Sequence, residues 1–297
     1  MDQRRPRHLI VPGLRVIQRG RDAIQIGFEP GRALVLPRTP AVQTAIDRLA
    51  TGAPTGDDPE VLEVVDALAA QGYLVEGSLL SESSDVAALA LADPHLLSER
   101  LERRGTVRVG VLGGLAADAL ALLTAVGLTV GASDDADVVL IAKVGEVDRD
   151  RLDRLVRAQV PHLVVRLLDG VAIVGPFVEP GRSACLRCID AHHAEVDPPY
   201  SILASRYAAA TDVPRLDATA EPVDTALATL ALSWAVRDVV SHVDGIRPSS
   251  WSTTIRLHPT LTEVTSVCWL RHPACGCSWV DVQSLQASRH RSVTMEA

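Results

Sequence analysis

The stretch "TVRVGVLGGLAADALALLTAVGLTVG", residues 106–131, decides the fold class. It reads as a buried strand, a glycine turn at Gly113 and Gly114, and then a helix. Two more apolar runs follow, "ADVVLIAKV" at 136–144 and "HLVVRLLDGVAIVGPFV" at 162–178. Each is read as one strand, which predicts an α/β domain around a largely parallel sheet. A long helix from about 222 to 243 is apolar on most of its circumference and should be buried, and "SWSTTIRLHPTLTEVTSVCWL" (250–270) reads as two strands turning at Pro259.

The text before residue 106 has a different character. Residues 9–37 break into short β-branched runs between Gly, Pro and Arg-Asp turns, which predicts three antiparallel strands at about 14–18, 23–28 and 32–36. Thr39 is then a candidate N-cap with Pro40 at the first helical position, and Val42, Ile46 and Leu49 share a face up to Gly52. A second helix starts near Asp58 and Pro59 and stops at Gly72 before the strand "YLVEG". Residues 1–77 thus have the outline of a winged-helix (α+β) module, 78–103 that of a helical connection, and 104–297 that of the α/β domain. The chain of 297 residues accommodates two domains.

Composition excludes several functions. A net charge of −8 and only 3% aromatic residues argue against nucleic acid, since the one basic cluster, "MDQRRPRH", lies at the extreme N-terminus. A DNA-binding regulator would need cations on its recognition helix, yet "DDPEVLEVVD" (57–66) has none. No run reaches the roughly 18 to 20 apolar residues of a membrane span, and no signal core follows the N-terminus, so a cytoplasmic protein is expected. Thiols are then expected to be reduced.

That expectation shapes the reading of five cysteines. Cys185 and Cys188 form a C-x-x-C knuckle after the Pro180-Gly181 turn, and Cys275 and Cys277 flank one glycine. The spacing favours a four-cysteine structural zinc site, because four thiolates leave no open position for catalysis. Unliganded buried cysteines and a redox pair at Cys185 and Cys188 are the alternatives. Cys268 or His272 could replace one ligand; otherwise Cys268 is expected as a buried apolar thiol, and His192 and His193 as a solvated pair.

The glycine turn is a weaker signal. Aligned on G-x-G-x-x-G it has Val111 in place of the first glycine and Ala116 in place of the last, leaving Gly113 and Gly114 as a degenerate nucleotide loop. Tight helix–strand packing is the better account of these glycines. Asp134 and Asp135 stand near the position of a ribose-binding acid but in a polar turn, and Lys143, the only lysine, could reach a phosphate.

Together "VGPFVEPGRSACLRCIDAH", the helix "EPVDTALATLALSWAVRDVVSHVDG" and the closing "HPACGC" resemble the zinc-bearing part of the ThiF-like superfamily, which includes ubiquitin-activating enzymes. More specifically they look like actinobacterial cyclodehydratase-type proteins that bind leader peptides in thiazole and oxazole modified microcin biosynthesis. "PGLRVIQRG", "IQIGFEP" and "RALVLPRTPAV" are similar to their winged-helix peptide-recognition element. The resemblance implies a truncated Rossmann-like domain with a zinc knuckle. It also implies a non-catalytic scaffold presenting a precursor peptide to a YcaO-type enzyme, with no catalytic residue of its own. The leader would add as a strand between residues 33–36 and the helix 61–69, where Val35, Leu36, Leu62, Val65 and Leu68 are the candidate contacts or, equally, core. The alternative is an ATP-dependent adenylyltransferase using ATP at Gly113. A homodimer is compatible with either reading.

Overall fold

The structure is a computed structural model and describes residues 7–213, 219 and 222–278. The basic cluster at residues 1–6 and the segment after 278 lie outside the described residues. The chain divides into two compact units, Met1–Glu102 and Arg103–Ala297.

The first unit holds β1 (His8–Ile10), β2 (Val16–Arg19), β3 (Ala23–Ile26), β4 (Leu34–Pro37), α1 (Pro40–Thr51), α2 (Pro59–Ala70), β5 (Leu74–Glu76), α3 (Ser84–Ala92) and most of α4 (Leu97–Thr106). Strands β2, β3 and β4 form the expected antiparallel sheet. The brief β1 pairs with β5, a contact that no local pattern announces. Thr39 caps α1 by accepting from the Val42 N–H at 3.2 Å, and Gly52, at φ +66°, closes it in the left-handed region. The α1 and α2 faces bury Val42, Ile46, Leu49, Val61, Val65 and Leu68 against Ile24 and Ile26 of the sheet. Within residues 78–103, expected as a helical connection, α3 and α4 form, and Leu89, Ala90 and Leu97 join Val11 and Val75 in a second small core.

The second unit adds β6 (Arg108–Leu112), α5 (Ala116–Ala125), β7 (Thr129–Val130), β8 (Val138–Val144), α6 (Arg149–Arg157), β9 (His162–Leu168), β10 (Val171–Val178), α7 (Leu186–Ala194), α8 (Tyr200–Thr211), α9 (Thr225–Val243), β11 (Thr253–Leu257) and β12 (Val264–Cys268). Its sheet runs β12-β11-β10-β9-β8-β6-β7. The pairs among β7, β6, β8 and β9 are parallel; those from β9 through β10 and β11 to β12 are antiparallel. The sheet is therefore mixed and not largely parallel. The correction traces to "HLVVRLLDGVAIVGPFV", which is a hairpin and not one strand. Asp169 (φ +50°) and Gly170 (φ +79°) make a two-residue turn, the strong Asp-Gly hairpin signal hidden between two fully buried strands.

Helix layers cover both faces. Buried residues of α9, including Ala231, Leu232, Ala235, Val236 and Val239, pack with α5 on one face; each fully buried Val or Leu contributes about 1.5–3 kcal/mol. Leu152 of α6 and Leu186 and Ile189 of α7 cover the other. The buried Asp238 fixes the end of α9 to the next loop by accepting from Ser249 N at 2.8 Å, Ser249 Oγ at 2.9 Å, Ser250 N at 2.8 Å and the Ser250 hydroxyl. No described helix is long and apolar enough to cross a membrane.

Candidate metal centre

Two turns position the four sulfurs. After β10 the chain reverses at Pro180-Gly181, where Ser183 Oγ accepts from the Glu179 N–H at 2.7 Å, and Ala184 N donates to Ser252 Oγ at 2.8 Å. Cys185 is thereby set as the N-cap of α7, and Cys188 lies one helical turn on. Their Sγ atoms are 3.7 Å apart. From the other side, Trp269 N donates to Ser252 O at 2.7 Å, Cys275 N donates to His272 O at 2.9 Å, and a short 3-10 turn at Gly276–Ser278 swings Cys277 inward. Cys185 and Cys275 then approach to 3.6 Å and Cys188 and Cys277 to 3.3 Å.

The four ligand atoms lie within 4.8 Å of one another and all four residues are buried. A disulfide needs sulfurs at about 2.05 Å, so these are free thiols. Thiolates about 2.3 Å from a shared tetrahedral ion would stand roughly 3.8 Å from each other, close to what is seen. Hydrogen bonding from Cys185 holds the Cys188 thiol well below its ordinary range, and the same contact pushes Cys185 up. Four buried sulfurs can all be anionic only around a cation. The donor set therefore fits a metal ion that is enclosed by protein.

The neighbours of this centre escape sequence reasoning. Asp190, on α7, receives Arg149 of α6 through Nε at 2.6 Å and Nη2 at 2.9 Å, while Glu146 accepts from Arg149 and from Arg166 of β9 at 2.8 Å each; all four are buried. Desolvation opposes the charge on Arg149, but Asp190 and Glu146 more than offset it and raise its pKa, so the guanidinium is locked in its charged form. An Arg or Asp on an amphipathic helix carries no sequence mark for this. His192 and His193 are half-buried and not a solvated pair, because Trp269 of the C-terminal strap covers them with ring centroids at 5.9 and 5.1 Å. His192, Glu195 and His272 also gather closely enough to suggest a second cation site. However, His272 Nδ1 accepts from Ala274 N at 3.1 Å and its Nε2 meets Glu195 at 2.9 Å, leaving no ring lone pair for a metal. The trio ties the strap to α7. Cys268 is exposed, not buried: β12 is the sheet's edge strand and all five of its residues are exposed.

At the glycine turn, a Cβ on Gly113 would lie 2.1 Å from Ala142 O, and φ is +107°, so close approach of β8 by itself demands glycine there. Beside Gly114 there is open space. Lys143 pairs with Asp212 at 2.5 Å, and Asp134 and Asp135 are exposed in a 3-10 turn. In the first unit, Val65 and Leu68 are core residues. Leu36 and Leu62 are half-buried, and Val35 is exposed. Alternation along β4 sends Leu34 and Leu36 toward the helices and Val35 to the opposite face.

No protein-family model and no curated protein sequence matches this chain. Solved structures do. The fold is shared with the heterocyclase TruD and with E. coli MccB. The heterocyclase TruD aligns with a TM-score of 0.69 at 18% identity, over 96% of this chain and 44% of TruD. A heterocyclase in complex with substrate and cofactor gives 0.69 at 17%, over 92% and 40%. E. coli MccB with MccA-N7isoASN gives 0.60 at 12%, over 91% of this chain and 99% of MccB. This chain thus spans less than half of either heterocyclase.

Proposed function

We propose that this chain is a zinc-braced scaffold that binds a precursor peptide and presents it to a YcaO-type partner in azoline- and azole-forming peptide modification. The observation that carries this reading is the edge of β4. It hydrogen-bonds β3 on one side, and among the described residues no strand lies on its other side. An extended peptide added there would satisfy its backbone on β4 and set alternate side chains toward the helix face near Leu36 and Leu62. On this reading residues 1–77 act as a winged-helix recognition module, with Val65 and Leu68 as its floor. Zinc is the metal because four thiolates suit it and close its coordination, which makes the centre a brace. Support comes from MccB, solved with MccA, and from the heterocyclase solved with substrate and cofactor.

The test is fluorescence anisotropy with a labelled precursor peptide encoded beside a neighbouring YcaO-type gene. Binding in the micromolar range is expected, weakened at least about tenfold by Leu62→Glu with the circular dichroism unchanged. Equal affinity of that variant would discard the β4 edge as the site. A second reading, an ATP-dependent adenylyltransferase, draws on the match to 99% of MccB, which was also solved with ATP. Release of pyrophosphate by the purified chain, with peptide and ATP alone, would favour it over the scaffold.

A further inference from the structure

We infer that a recess in the second unit, at the end of its sheet opposite the Gly113 turn, is a binding site for a small oxyanion, phosphate or carboxylate, carried on an organic group. Its position follows from the register. Val178, the last residue of β10, pairs with His162, the first of β9, so the loop after β10 lies where the parallel strands begin. Gly113 follows the last residue of β6, where they end. A strand of five residues separates the two ends by roughly 17 Å. The recess therefore belongs neither to the degenerate nucleotide loop nor to the β4 edge, and does not rest on the function proposed above.

The cavity has a volume of about 440 Å³ and is lined by Arg103, Glu179, Arg182, His242, Arg247 and Trp251 among others. That volume exceeds what a bare phosphate fills and falls within the range of small-ligand pockets, about 300–1,000 Å³. Among the lining side chains, Arg182 and Arg247 stand with the one carboxylate of Glu179, in a chain whose net charge is −8.

Arg182 and Arg247 are built for recognition more than for holding the fold. Arg247 lies over the Trp251 ring, 3.6 Å from its centroid, which occupies the flat face of the guanidinium and leaves the N–H groups in its plane for a bidentate oxyanion. Arg182 is 77% exposed and is oriented by Glu179 at 3.1 Å, whose other oxygen is 3.8 Å from His242. Gly245, at φ +78°, lets Arg103 close the wall: a Cβ there would sit 2.6 Å from its Nη1. Buried structural arginines in this unit look different, as Arg104 does, held by Asp244 through two hydrogen bonds at 2.9 and 2.7 Å.

The experiment is calorimetric titration of the metal-loaded full chain with inorganic phosphate, adenosine monophosphate and N-acetylglycine. One-to-one binding of at least one probe is expected with Kd below about 1 mM. A preference for the phosphates or for N-acetylglycine names the anion, and tighter binding of adenosine monophosphate than of phosphate shows that the attached group is read. The double variant Arg182→Gln/Arg247→Gln, checked for unchanged circular dichroism, should weaken binding at least tenfold. Failure of all three probes at 10 mM, or binding that survives the double variant, overturns the proposal.

Discussion

His162 opens β9 with its ring almost wholly enclosed; Nδ1 lies 3.0 Å from Val160 O, and Nε2 has no partner among the described residues. Burial pushes its pKa down from near 6.5 to about 4. Because the folded value is the lower one, the unfolded chain takes up the proton first. Stability is whole above about pH 6.5 and drains away as the pH falls toward 4. By pH 4.5 this one ring costs about 2–3 kcal/mol. Replacing it by leucine gives up the Val160 bond, worth about 1 kcal/mol, but removes the acid penalty. Urea unfolding at pH 7.5 and 4.5 should show His162→Leu gaining about 2–3 kcal/mol on the parent chain between the two conditions. Parallel pH dependence in the two proteins would show that the ring is not the acid-sensitive group.

Between elements, the turn from β6 to α5 is where two readings of one motif part. If Gly113 exists for packing, its neighbour need not be glycine at all. Gly113→Ala places a methyl against Ala142 O and forces an unfavourable positive φ, a cost of about 3 kcal/mol or more. Gly114→Ala meets nothing within 4 Å and should stay within about 1 kcal/mol of the parent. Thermal melts of the pair decide the matter, and equal destabilisation by both would return the loop to a role in binding. Legibility in the sequence follows the same division. Thr39-Pro40 and Gly52 bracket α1 because capping is chemistry local to the chain. The β9–β10 hairpin was lost because both its strands are buried on two faces, so no alternation separated them around Asp169-Gly170. β1 is defined by its partner β5, more than 60 residues away. The cysteine centre was legible since sulfur spacing is itself a signal, whereas Arg149, Asp190 and Trp269 acquire their roles only by tertiary placement.

At the scale of the whole second unit, the sulfurs connect segments 90 residues apart, Cys185 at the N-cap of α7 and Cys275 on the strap beyond β12. Among the described residues after β12, Trp269 is the apolar side chain that packs beside the cysteines, and its indole N–H reaches Thr254 at 2.9 Å. On the proposed zinc brace the strap's attachment depends on the metal, since structural zinc supplies an apparent free energy on the order of 10 kcal/mol. Thiol reactivity reports this directly, because Cys268 is exposed while Cys185, Cys188, Cys275 and Cys277 are buried. A chromogenic disulfide should titrate one thiol rapidly in the metal-loaded chain and all five after treatment with a strong chelator. The chelated protein should melt at least about 10 °C lower, and Cys188→Ser should make the chain indifferent to chelator. Elemental analysis finding no metal in the purified chain, or four slow thiols whatever the chelator, would leave the cysteines as plain core residues and the strap without its fastening.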